Sequence, residues 1–110
     1  MTDPLLERDP ILAEIVRRLV AAYEPERIYL FGSKARGDAD PDSDYDLAVI
    51  VPDDASAERR REPLAYRVLR GTRTAADVLV WPRATFEARL HVVASLPATV
   101  EREGRVLYAA

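Results

Sequence analysis

Cysteine is absent from the 110 residues, which excludes a disulfide framework, a thiolate zinc site and a cysteine nucleophile. An excess of basic charge is missing as well. Sixteen Lys and Arg stand against 19 Asp and Glu, a formal charge of −3 that offers no footprint for wrapping a nucleic-acid duplex, so no direct nucleic-acid binding is expected. Long apolar runs are lacking. The longest, Leu47 to Val51, is far too short to cross a bilayer. The opening Met1-Thr2-Asp3-Pro4 has neither the basic nor the apolar region of a signal peptide. These absences predict a cytoplasmic protein with no membrane partner. What is present, 48% hydrophobic and 32% charged residues, describes a folded globular chain, and the length predicts a single domain over 1–110.

Two Asp-Pro pairs, Asp3-Pro4 and Asp9-Pro10, each offer a capping carboxylate followed by a proline fit for a first helical position. From Pro10, the residues Ile11, Leu12, Ile15, Val16, Leu19 and Val20 recur at helical spacing until Glu24-Pro25. Arg27 to Phe31 reads as a buried strand stopped by Gly32, and Tyr45 to Val51 as a second, broken by Pro52. The stretch from Ala55 to Arg70 reads as helical, with Pro63 a point at which it can split. Ala75 to Trp81 is a third strand. Phe86, Leu90 and Val93 mark a further helix that carries His91, Ser95 to Glu103 a short one closed by Gly104, and Arg105 to Tyr108 a small edge strand. Helices alternating with strands in this order predict an α/β (α+β) fold, a small mixed sheet flanked by helices.

The chemistry lies between Gly32 and Asp46. Side chains alternate along a strand, so Asp44 and Asp46 share a face with Ala48 and Ile50, their backbones roughly 6–7 Å apart at about 3.3 Å per residue. Both stand where a strand begins, open to solvent and able to converge on one divalent cation. A third carboxylate, Asp77, interrupts the apolar run Ala76 to Val80, a placement that is costly unless the group is paired, protonated or bound to metal. If the second and third strands are neighbours, Asp77 joins the pair, and three carboxylates in one patch favour Mg²⁺, which takes oxygen ligands. Two such ions are a recurring device for displacement at phosphorus. Gly32 permits close backbone approach, Ser33 offers a hydroxyl and a nearby N–H to an anionic oxygen, and Arg36 can reach leaving phosphates.

Other features have plainer readings. Aspartates at 38, 40 and 42 fit a solvated turn, since no register supplies the Gly and Glu of an EF-hand. Arg59-Arg60-Arg61, flanked by Glu58 and Glu62, reads as a solvated face. Trp81 and Phe86 read as core or interface aromatics, and His91 as structural.

Gly32-Ser33, ten residues, then Asp44-Tyr45-Asp46 resembles the signature of the polymerase-β-like nucleotidyltransferase superfamily. The fuller strings Gly-Ser-Lys-Ala-Arg-Gly and Ser-Asp-Tyr-Asp-Leu resemble its minimal nucleotidyltransferase branch, which includes the MntA-like antitoxins paired with HEPN-domain toxins. The resemblance implies that Asp44, Asp46 and Asp77 are catalytic and hold two Mg²⁺ ions, with Asp77 also a base toward the acceptor hydroxyl. Gly32 and Ser33 would bind the triphosphate of ATP. It further implies transfer of AMP to a tyrosine of a cognate HEPN ribonuclease toxin. This chain is not such a toxin itself, because its sole histidine, His91, lacks an arginine at the spacing of the HEPN motif. The alternatives are an antitoxin that neutralises by contact alone and a stand-alone enzyme acting on a small hydroxylated molecule.

Overall fold

In the computed structural model, which describes residues 2–37, 44–72 and 75–110, α1 (Leu5–Arg8) and α2 (Pro10–Tyr23) start at the two Asp-Pro pairs. Asp9 caps α2 by accepting from the Leu12 N–H at 3.0 Å, with Pro10 at the position where a missing N–H is harmless. Asp3 accepts from the Leu5 N–H at 2.7 Å. Strands β1 (Arg27–Phe31) and β2 (Tyr45–Val51) have the bounds that their apolar runs predict, separated by the short α3 (Ser33–Arg36). A 3₁₀ turn (Glu58–Arg60) precedes α4 (Pro63–Val68), so Pro63 does split the helical stretch expected over 55–70, and it starts the shorter helix. Then follow β3 (Ala76–Pro82), α5 (Arg83–Ala88), α6 (Leu96–Glu103) and β4 (Arg105–Ala109).

One expectation needs correction. Phe86, Leu90 and Val93 do not share a helix, because α5 stops at Ala88, and Val93 is 74% exposed. Ser95 explains the stop. Its hydroxyl donates to the Arg89 carbonyl at 2.8 Å and accepts from the Ala98 N–H, ending one helix while capping α6. His91 therefore lies exposed in a turn rather than on a helix.

The strands form one sheet in the order β3-β2-β1-β4. β1 is antiparallel to both β2 and β4, whereas β2 and β3 run parallel. Alternation sorts the strand residues onto two faces. Leu30, Leu47, Val49 and Val78 face Leu12, Ile15 and Leu19 of α2 and Leu64 of α4 in the main core. Tyr29, Ala48 and Ile50 face Phe86 of α5 and Val100 of α6 in a smaller one. Among the described residues, α5 and α6 cover this face around Ala48 and Ile50, and the carboxylates lie toward the other end of the strands. Among the described residues, no helix is long and apolar enough to cross a membrane.

The N-terminal segment is fastened to β4 by the Asp3 N–H donating to Leu107 and by Arg105 donating twice to the Asp3 carboxylate, at 2.6 and 2.9 Å. The Arg105 hydrogen bond holds the Asp3 carboxyl below its usual value of 3.8, outweighing the opposing effect of burial. A lowered folded value means stabilisation that is complete above 3.8 and lost as pH falls through the folded value. Asp3→Asn is expected to lower the melting temperature at neutral pH and to flatten the decline on acidification, measured by thermal melts across the acid range.

Candidate active site

The site is built from the end of β1. Gly32 has φ +73° and ψ −157°, a backbone region that essentially only glycine occupies. A Cβ placed on it would stand 2.3 Å from Asp46 Oδ2, so the backbone of this turn is pressed against that carboxylate. The Gly32 carbonyl accepts from the N–H groups of Ala35 and Arg36, both at 3.2 Å, which winds α3. Gly37 closes it with φ +81°. Ser33 is half-buried at the start of this turn. Ala35 packs on the main core. Lys34 lays its ammonium 4.5 Å from the centre of the Tyr45 ring.

Register supplies the rest. Asp46 pairs with Phe31 on one side and with Asp77 on the other. Neighbours in register point the same way, so Asp46 and Asp77 stand side by side on adjacent strands about 4.8 Å apart. Asp44, two residues before Asp46, belongs to the same face. Asp46 is half-buried, while Asp44 and Asp77 are exposed. Burial pushes the Asp46 carboxyl above its usual value. The negative charges of Asp77 and then Asp44 push it further, and the Arg36 guanidinium pulls the other way. These four residues thus form one electrostatic unit around Asp46.

The structure changes one argument. The expectation that Asp77 pays for burial in an apolar strand does not hold, because β3 is an edge strand and its aspartate reaches solvent. What singles out Asp77 is its register opposite Asp46. Among the described residues, no group of three Asp, Glu or His side chains is gathered tightly enough to hold a metal ion. The backbone aligns the carboxylates without drawing their side chains to one point. A cavity of about 510 Å³, lined by Glu26, Ile50, Phe86 and Glu101 among others, lies at the far end of the strands, where Arg27 pairs with Ile50 four positions from the Phe31–Asp46 pair. It opens on the same sheet face as the carboxylates but at the opposite end of the strands, and its lining includes none of the three aspartates. Asp38, Asp40, Asp42 and Arg73 lie outside the described residues.

Sequence reasoning passed over Tyr45. Alternation already put it on the face opposite the aspartates, and there it is buried, its phenol donating to Asp9 Oδ2 at 2.8 Å. Burial first, then that hydrogen bond, raises the phenol to about 12, so it stays a donor.

The fold, a four-stranded mixed sheet flanked by helices among the described residues, is shared with solved nucleotidyltransferase structures. The similar solved structures include a candidate nucleotidyltransferase from Sulfolobus solfataricus, with TM-score 0.59 and 22% identity over 91% of this chain and 78% of that one. Another is a toxin–antitoxin solved with AMP-PNP, with TM-score 0.55 and 25% identity over 87% of this chain and 72% of that one. A third is the toxin–antitoxin MntA–HpeT with two aspartates changed to glutamate, with TM-score 0.55 and 22% identity over 86% and 71%. No protein of curated function matches the sequence. Residues 10–106 match the family profile of the nucleotidyltransferase domain, and the chain belongs to that family.

Proposed function

We propose that this nucleotidyltransferase is the antitoxin of a toxin–antitoxin pair and that it moves AMP from ATP to a hydroxyl of its partner, a tyrosine of a HEPN-domain ribonuclease toxin. The observation that carries the reading is the register of Asp46 beside Asp77, with the Gly32 backbone packed against the Asp46 carboxylate. The toxin–antitoxin structures among its neighbours support the choice of partner. The two substituted aspartates of MntA–HpeT stand two positions apart, the spacing of Asp44 and Asp46 here.

A divalent cation suits these residues. Asp46, Asp77 and Asp44 offer only carboxylate oxygens, the donors that Mg²⁺ prefers, and their mutual repulsion is what a cation relieves. Asp44, Asp46 and Asp77 would hold two Mg²⁺ ions, which neutralise charge on the triphosphate and its departing pyrophosphate. The protein's own groups then do the positioning. Backbone at Gly32 allows phosphate oxygens to approach, and Ser33 donates to them. Arg36, whose charge already acts on Asp46, faces the same negative cluster. The acceptor hydroxyl oxygen bonds to the α-phosphorus as the bond to pyrophosphate breaks, and Asp77, exposed at the sheet edge, takes the hydroxyl proton.

Intact mass tests this. The product of the neighbouring gene is incubated with this protein, ATP and Mg²⁺, with Asp44→Asn as control. Increments of one or more AMP on the partner, lost with Asp44→Asn, are expected. A stable complex with unchanged mass would indicate neutralisation by contact alone. No change and no complex would overturn the antitoxin reading.

A further inference from the structure

Between the glycine turn and the acid-bearing strand runs a contact that faces away from the carboxylates. Lys34, on α3, holds its ammonium 4.5 Å above the centre of the Tyr45 ring. Tyr45 lies between Asp44 and Asp46 in the sequence, and its side chain points to the opposite face, where it is 6% exposed. Its hydroxyl donates to Asp9 Oδ2 while the other oxygen of Asp9 caps α2. A chain of contacts therefore runs from α3 through Lys34, Tyr45 and Asp9 into the long helix of the main core.

The need for such a link follows from the turn itself. α3 has four residues and no side-chain cap. A turn so short has little stability of its own. Gly32 must nevertheless stay within contact distance of the Asp46 carboxylate. Ammonium–ring attraction depends on the ring face and falls off with distance, so it fixes α3 over β2 in a way that simple apolar packing does not. The tyrosine ring cannot swing aside, because its hydroxyl is held by Asp9.

Resting on the nucleotidyltransferase reading, we propose that Lys34 and Tyr45 are positioning residues: their ammonium–ring contact locks the Gly32–Ser33 turn onto the strand that bears Asp44 and Asp46, and so sets affinity for the triphosphate. Lys34 acts through Tyr45 and does not touch the nucleotide.

The test is the affinity of the full chain for Mg²⁺ with ATP, by calorimetry, alongside thermal melting. Lys34→Met is expected to weaken binding about 2- to 30-fold, the range that such a contact spans. Lys34→Arg should restore most of it, since a guanidinium also stacks on a ring. Tyr45→Phe keeps the ring and should lose less than Tyr45→Leu. The double variant of Lys34→Met with Tyr45→Leu should bind no more weakly than Tyr45→Leu alone, each compared at a temperature where melting shows it folded. Additive losses would mean that Lys34 reaches the phosphates directly, which overturns the proposal. So would unchanged binding in Lys34→Met while Asp46→Asn loses it, an outcome that leaves the nucleotidyltransferase reading intact. Absence of binding by the unaltered protein would overturn both.

Discussion

Gly32→Ala is expected to cripple nucleotidyl transfer, and Gly37→Ala is expected to spare it. Both glycines have positive φ, +73° and +81°. Forcing a side chain into such a region costs on the order of 1–3 kcal/mol. They differ in what a methyl group would meet. At Gly37 no described residue comes within 4 Å of the new methyl group, so strain is the main effect. At Gly32 the new Cβ would stand 2.3 Å from Asp46 Oδ2, too close for two non-bonded atoms. Either the carboxylate leaves its place or the turn does. Overpacking adds roughly 1–3 kcal/mol. A displacement of about 1 Å within a catalytic constellation lowers rate by about a hundredfold. Gly32→Ala should therefore melt lower than Gly37→Ala and transfer nucleotide at less than about a hundredth of the normal rate. Gly37→Ala should stay within severalfold of normal. Paired melts and transfer assays decide it, and equal activity in the two variants would show that the approach of Gly32 to Asp46 does not matter to the reaction.

The same glycine shows what the sequence discloses and where it stops. Gly32 ends β1 as the chain's composition predicts, and β1 and β2 begin and end where their β-branched runs meet Gly32 and Pro52. These are local signals, written in consecutive residues. The acid pair was legible for the same reason, because alternation alone puts Asp44 and Asp46 on one face. Asp77 was a different matter. Its apolar surroundings indicated a buried charge, yet the residue is exposed, because β3 lies at the sheet edge. What joins it to Asp46 is a parallel register between strands that are far apart in the chain. Strand order is not encoded by periodicity. The end of α5 was hidden for a similar reason, since Ser95 takes the Arg89 carbonyl from six residues away. Tyr45 and Lys34 could be placed on elements from sequence, but their contact depends on how α3 folds back on β2. Spacing nominates the members of the candidate site; tertiary pairing sets their geometry.

On the function proposed above, that geometry makes Asp46 a residue the fold tolerates for its chemistry, and Asp46→Asn is expected to raise stability at neutral pH while removing activity. Burial pushes its carboxyl up, and the charges of Asp77 and Asp44 push it further against the pull of Arg36. A raised folded value has a definite sign. The fold is favoured when Asp46 is protonated, fully so below the usual value of 3.8, and that advantage is lost as pH rises through the raised folded value. At pH 7 the ionised carboxylate is therefore a net strain on the fold, and a neutral amide of nearly the same shape relieves it. The asparagine variant should melt at a higher temperature than the normal protein in the absence of divalent cations. Adding Mg²⁺ should reverse the order, because a cation bound by the folded state raises the melting temperature of the normal protein by mass action. The variant, with one ligand weakened, should gain little. Transfer should fall by about a hundredfold or more, as loss of a group that holds or orients a catalytic metal commonly produces. Asp77→Asn should act on the same balance from the other side, letting the Asp46 carboxyl fall back toward its usual value. Melting temperature with and without Mg²⁺, measured beside transfer rate, reads all of this in one series. A variant that melts lower without Mg²⁺, or responds to the cation as strongly as the normal protein, would show that Asp46 is held by the fold for its own sake and not for a metal.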